Sequence, residues 1–153
     1  MNDKKTVEEE LLCEALKKGY TMRYRALGGS MNPFIRSGSI LTVKPYEGIS
    51  VGDVILYKNS DGLIAHRVIK KKKVNGRNFF ITKGDNLRYI DGVVYDTNIL
   101  GKVIELEKEK KVKMNSLFMR LVNYFIAITS PFILLGLISF LRKTKKAFEI
   151  AVE

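Results

Sequence analysis

Two residues of this chain could perform base-assisted hydroxyl chemistry together. Ser30 lies in Gly28-Gly29-Ser30-Met31-Asn32-Pro33, and His66 lies in Leu63-Ile64-Ala65-His66-Arg67-Val68-Ile69. A serine hydroxyl becomes a useful nucleophile when a neighbouring base takes its proton, and imidazole is the side chain whose ordinary titration lies near neutrality. His66 is the only histidine in 153 residues, so if an imidazole activates a serine here, it is this one.

The elements that must position the pair follow from local chemistry. Gly28 and Gly29 open backbone conformations closed to other residues, while Pro33 fixes its own φ and restricts Asn32, so Ser30 sits in a constrained turn. A hydroxyl held there can face a cleft, with nearby backbone N–H groups available for a developing oxyanion. The same turn also reads as an ordinary strand connector. Residues 63–69 read as a strand whose alternation puts Ile64, His66 and Val68 on one face and Ala65, Arg67 and Ile69 on the other. A histidine on an apolar strand face is equally a hydrogen-bonded structural residue. Position alone leaves both readings open.

Around these segments short apolar runs alternate with turns. Tyr20–Leu27, Ile40–Val43, Asp53–Tyr57, Leu63–Ile69, Phe79–Thr82 and Lys102–Leu106 are the expected strands, broken at Gly48, Asn59–Gly62 and Asn75-Gly76. The pattern predicts a compact, mainly antiparallel β domain, with Lys70-Lys71-Lys72-Lys73 running into a hairpin at Val74-Asn75-Gly76.

Taken in order, Ser30-Met31-Asn32-Pro33, Gly38, Gly52-Asp53-Val54-Ile55, His66-Arg67-Val68-Ile69, Thr82-Lys83-Gly84-Asp85-Asn86 and Asp91 resemble the catalytic domain of type I signal peptidases. The similarity is to the archaeal and endoplasmic-reticulum branch, in which histidine replaces the lysine of the common bacterial enzymes, and it runs from about Tyr24 to Glu105. It implies a coiled antiparallel β fold, Ser30 as nucleophile and His66 as general base. It also implies Asp91 as the carboxylate orienting the imidazole, favoured over Asp85, which would support the Gly-Asp-Asn turn. A carboxylate on one imidazole nitrogen fixes the tautomer that leaves the other free to accept the serine proton. Gly28 stands where many members carry a serine that helps hold the oxyanion, which leaves that task to backbone N–H groups.

The two ends differ from the middle. Met1 to Lys18 is too polar for a signal peptide or a membrane span and predicts a soluble helix: Thr6 and Glu9 as a capping box, Val7, Leu11, Leu12, Ala15 and Leu16 on one face, Gly19 as the stop. Leu121 to Leu141 is free of charge over 21 residues, about 31 Å of helix at ~1.5 Å per residue, and predicts a membrane anchor. Asn123, Thr129, Ser130 and the helix-interrupting Pro131 could instead divide it into two shorter helices packed on the domain or lying in the interface. Lys108, Lys110, Lys111, Lys113 and Arg120 precede this segment and Arg142, Lys143, Lys145 and Lys146 follow it, so charge bias nearly cancels. With no export signal at the front, the domain is expected on the cytoplasmic face of a membrane. The expected organisation is an N-terminal helix over 1–19, a catalytic β domain over 20–107 and a basic-flanked hydrophobic helical tail over 108–153 that supplies none of the chemistry.

The net charge of +11 makes acidic lipid headgroups a fitting partner, whereas nucleic acid is not expected, since aromatic residues are not interleaved with the basic ones. Cys13 is the only cysteine, which excludes an intramolecular disulfide. No metal-ligand cluster, phosphate loop or nucleotide fingerprint occurs, so no cofactor is expected. The expected function is a membrane-associated serine endopeptidase that removes a leader or signal segment from a peptide or preprotein. The alternatives are a non-catalytic peptide-binding module on the same fold, and a self-cleaving repressor-like peptidase. The latter would need a lysine base, for which Lys70 is the nearest lysine to the histidine strand.

Overall fold

The computed structural model describes residues 2–60, 62–108 and 111–129, with side chains from residue 7 onward. Helix α1 (Asn2–Lys17) leads into eight strands: β1 (Met22–Arg25), β2 (Ile40–Lys44), β3 (Val54–Asn59), β4 (Gly62–Val74), β5 (Arg77–Lys83), β6 (Val93–Tyr95), β7 (Ile99–Glu107) and β8 (Lys111–Lys113). A helix over 117–129, here α2, follows. Every strand pairing is antiparallel, in the order β1-β2-β7-β3-β4-β5-β6, with β8 on β7. The mainly β antiparallel architecture with a short helix at the front is therefore as expected, and β6 and β8 are the strands that three-residue patterns were too short to announce.

The centre of the sheet is β3, where Val54, Ile55, Leu56 and Tyr57 are all buried because both faces are covered. Val54 and Leu56 join a core with Leu16, Met31, Leu41 and Val103; Ile55 and Tyr57 join a second with Val68, Phe80, Val94 and Ile99. The pleat thus assigns alternate residues to opposite cores. Strands β4 and β5 form the long hairpin, with Val74 opposite Arg77 and both Asn75 and Gly76 at positive φ (49° and 79°), the left-handed pair that a two-residue turn of matching twist requires.

Helix α1 departs from its expected detail. It starts at Asn2, so Thr6 lies inside the helix and not at the start that the expected capping box assigned to it. Leu12, Cys13 and Leu16 are buried while Val7 and Leu11 are exposed, because the helix meets the sheet along a narrower stripe than its apolar residues cover. Its end is as expected: Gly19 has φ +94°, and the N–H groups of Gly19 and Tyr20 donate to the carbonyls of Leu16 and Ala15, each at 3.0 Å.

The tail also differs. Ser116 caps α2, its hydroxyl accepting from the Met119 N–H at 3.3 Å. Asn123 and Ala127 are buried against the domain, and Met114 belongs to the first core. Among the described residues no helix is long and apolar enough to cross a membrane. The expected anchor Leu121–Leu141 is described only as far as residue 129, where it is the second half of α2, and residues 130–141 lie outside the described residues.

Candidate active site

Strand β4 carries His66 with its side chain in the second core's face, edge-on to Tyr57 at a ring separation of 6.5 Å. The turn between β1 and β2 carries Ser30, whose Oγ lies 3.0 Å from His66 Nε2. On the other side of the ring, His66 Nδ1 lies 2.6 Å from Asp91 Oδ2. Three residues separated by 36 and 25 positions in sequence thus form one hydrogen-bonded line.

Asp91 is held by its neighbours. Its backbone N–H donates to the Thr82 carbonyl at 2.8 Å, and its Oδ2 accepts from the Thr82 hydroxyl at 2.7 Å and the Tyr57 hydroxyl at 3.3 Å. Burial pushes the Asp91 carboxyl up, but the hydrogen bonds from His66, Thr82 and Tyr57 outweigh it and leave the group below its ordinary value. An ionised carboxylate only accepts, so the proton between it and His66 sits on Nδ1, which in the neutral imidazole leaves Nε2 facing Ser30 Oγ as an acceptor. Burial raises Tyr57 to about 12, with Asp91 adding to the rise and the Thr82 hydrogen bond opposing it, so its hydroxyl stays a donor.

Asp85 sits elsewhere. Both its oxygens accept from Arg67, from Nε and Nη2 at 2.8 Å each, and Arg67 is fully buried. Arg67 Nη1 donates to the Gly52 carbonyl at 3.0 Å and to Asn123 Oδ1 at 2.8 Å, and Phe34 lies over the guanidinium at 6.0 Å. The turn that carries Asp85 grips the serine turn directly: the Asn86 N–H donates to the Ser30 carbonyl at 2.8 Å, and Asn86 Nδ2 donates to the Gly29 carbonyl at 3.2 Å. Of the two aspartates, Asp91 meets His66 and Asp85 meets the residue after it.

A cavity of about 240 Å³ opens beside Ser30 and His66, walled by Tyr24, Ala26, Met31, Ile35, Leu63 and Ala65. Gly28 lies on its rim at φ +84°. Lys70 is exposed on β4, opposite Ile81, whereas Lys83 is buried, its Nζ donates to the Gly84 carbonyl at 3.2 Å, and burial lowers its pKa. Sequence reasoning assigned no part to Tyr57, Arg67 or Asn123. Arg67 could have been noticed as a charge on a strand face with apolar neighbours; Asn123 stood out as a polar residue in an apolar run, but nothing in that pattern named its partner.

No protein-family model matches the chain. Three curated proteins do align with it. Signal peptidase I W of Bacillus subtilis is 34% identical over 86 residues, 53% of this chain and 45% of that protein. Signal peptidase complex catalytic subunit SEC11 of Yarrowia lipolytica is 33% identical over 90 residues, 56% of this chain and 49% of that protein. SEC11 of Eremothecium gossypii is 40% identical over 73 residues, 45% of this chain and 44% of that protein. The similarity to the type I signal peptidase superfamily is thereby shown, over a stretch that spans a little under half the length of these relatives.

Proposed function

We propose that this chain is a serine endopeptidase that removes a leader or signal segment from a peptide substrate, with Ser30 as nucleophile, His66 as general base and Asp91 as the orienting carboxylate. The observation that carries the reading is the line from Ser30 Oγ through both ring nitrogens of His66 to Asp91. With Nδ1–H held on Asp91, Nε2 takes the serine proton as Oγ attacks the scissile carbonyl. The imidazolium formed is stabilised by Asp91 and then protonates the leaving amine; water, activated by the same nitrogen, releases the acyl group. Glycine at position 28 offers no hydroxyl to the oxyanion, so backbone N–H groups of the serine turn hold it.

Two strand edges support an extended substrate. Strand β1 ends the sheet, and residues 63–66 of β4 pair with β3 but not with β5, whose register begins at Arg67. A peptide entering between them would be read through its backbone, with a small apolar side chain in the cavity between Ala26 and Ala65. The exposed Leu117, Phe118, Leu121 and Phe125 of α2, with Arg120 and the basic hairpin, support association with an anionic membrane surface.

The test is cleavage, in detergent micelles, of peptides carrying an apolar stretch followed by small residues. Wild-type protein should cut them and Ser30→Ala should not, with an unchanged melting temperature. Equal cutting by Ser30→Ala would remove the serine from the chemistry. Tight binding without cutting by the wild type would favour a peptide-binding module, the reading to which Gly28 lends support.

A further inference from the structure

Helix α2 is built the wrong way round for a simple cover. Leu117, Phe118, Leu121 and Phe125 face outward, yet Asn123 is 5% exposed. Asparagine is a poor residue for a helix interior, and a buried amide must be hydrogen-bonded. Its Oδ1 accepts from Arg67 Nη1 at 2.8 Å, an orientation the partner dictates, because a guanidinium can only donate. The helix is also pressed close. A Cβ added to Gly52 would meet the Tyr124 nitrogen at 2.8 Å and the Asn123 carbonyl carbon at 2.9 Å, and the Gly52 carbonyl is the other acceptor for Arg67 Nη1.

From Arg67 the contacts run on without a gap. The bidentate pair holds Asp85, and the following residue holds the carbonyls of Ser30 and Gly29. The Asp85 N–H meets Met31 Sδ at 3.4 Å, and Gly84 has no room for a Cβ, which would lie 2.7 Å from the Ser30 carbonyl oxygen. The serine turn is therefore seated on the 84–86 turn, and that turn on Arg67. Four of the five guanidinium N–H groups are spoken for by Asp85, Gly52 and Asn123. A fully buried guanidinium cannot shed its proton, so an acceptor taken away must be replaced by water or by rotation of the group.

We infer that Asn123 is a positioning residue for Ser30: through Arg67 and Asp85 it fixes the turn on which the nucleophile is seated, so α2 completes the catalytic site. The inference rests on the reading of Ser30 as nucleophile. Without Asn123 the guanidinium turns toward a new acceptor, its grip on Asp85 slackens and Ser30 Oγ leaves the line of His66 Nε2.

The test uses the full chain with Asn123→Ala and Asn123→Asp, the second of which keeps an acceptor for Arg67. Three readouts are taken on folded protein: kcat and KM for a cleaved peptide, the rate at which a fluorophosphonate labels Ser30, and the nitrogen resonances of the single imidazole. Asn123→Ala should lose kcat and labelling rate on the order of a hundredfold, the scale of a small misplacement at a reacting atom, with KM little changed and the His66 Nε2 resonance moved. Asn123→Asp should recover all three. Wild-type rates and an unmoved resonance in Asn123→Ala overturn the inference, as does an equal loss in a folded Asn123→Asp. If Asn123→Ala does not fold, Asn123→Ser, too short to reach the guanidinium, takes its place; failure of both to fold would assign Asn123 to folding alone and overturn the inference too. If wild-type protein neither cuts peptide nor reacts with the fluorophosphonate, the peptidase reading fails, and the imidazole resonance alone decides whether Asn123 positions the serine turn.

Discussion

Two carboxylates six positions apart take different tasks because different partners face them. Asp91 receives an imidazole and two hydroxyls, while Asp85 receives a guanidinium with no solvent beside it. Asp91→Asn should keep the shape of the site but favour the wrong tautomer of His66, which in an unrelated serine protease lowers turnover on the order of ten-thousand-fold. Asp85→Asn should instead lower stability by about 3–5 kcal/mol, since it leaves a buried guanidinium without its counter-charge. Paired kinetics and thermal melts check the ordering, and the reverse ordering would exchange the two roles. Asp91 also predicts a pH dependence. Its folded pKa lies below its ordinary value, so its ionised form favours the native state. That contribution is complete above the ordinary carboxylate value of about 4 and is lost as pH falls through the lower folded value. The melting-temperature gap between wild type and Asp91→Asn should therefore close as the solution is acidified below the ordinary carboxylate value.

At the scale of elements, the site depends on turns that approach each other closely. Gly84 opens the turn that carries Asp85, and a side chain there would strike the Ser30 carbonyl oxygen at 2.7 Å and Leu87 Cδ1 at 2.8 Å. The backbone oxygen cannot swing aside, so Gly84→Ala should cost about 1–3 kcal/mol as an overpacked contact and displace the serine turn as well. Gly48 is the control, with nothing within 4 Å of an added Cβ and no positive φ. Gly48→Ala should leave both stability and turnover near wild type. Chemical denaturation and peptide cleavage by the two variants separate a steric effect at the site from a general effect of glycine replacement.

Over the whole molecule, the described part of the tail belongs to the fold. Met114 lies in the first core with Met119 packed on it, Ala127 is buried, and Asn123 meets Arg67. A tail that supplies none of the chemistry would be removable, and a chain lacking residues 117–153 would then fold on its own. It should instead be destabilised, because removal of Asn123 alone leaves a buried donor unsatisfied at about 1–3 kcal/mol, before any lost apolar burial is counted. A thermal melt of the shortened chain against the full chain checks this; equal melting temperatures would mean that α2 is dispensable for folding.

What the amino-acid sequence determined by itself is what local chemistry can specify. Alternation placed the main strands, Asn75-Gly76 placed the hairpin and Gly19 ended the first helix, since pleat period and positive φ are properties of a few consecutive residues. The pairing of the lone histidine with the serine of the glycine turn was not local in this sense: local chemistry left it open, and only the resemblance carried by motif order implied it. Which aspartate faced His66 was not local. It depended on the register of β4 against β5, where a bulge after Val68 sets Val68 opposite Thr82 and so brings the Asp91 loop beneath the imidazole. Asn123 lies 56 residues from Arg67 and stands out in its run as a polar interruption, but hydrophobic pattern says nothing of which residue on a helix will meet a buried charge. Only the close seating of α2 on Gly52 decided that.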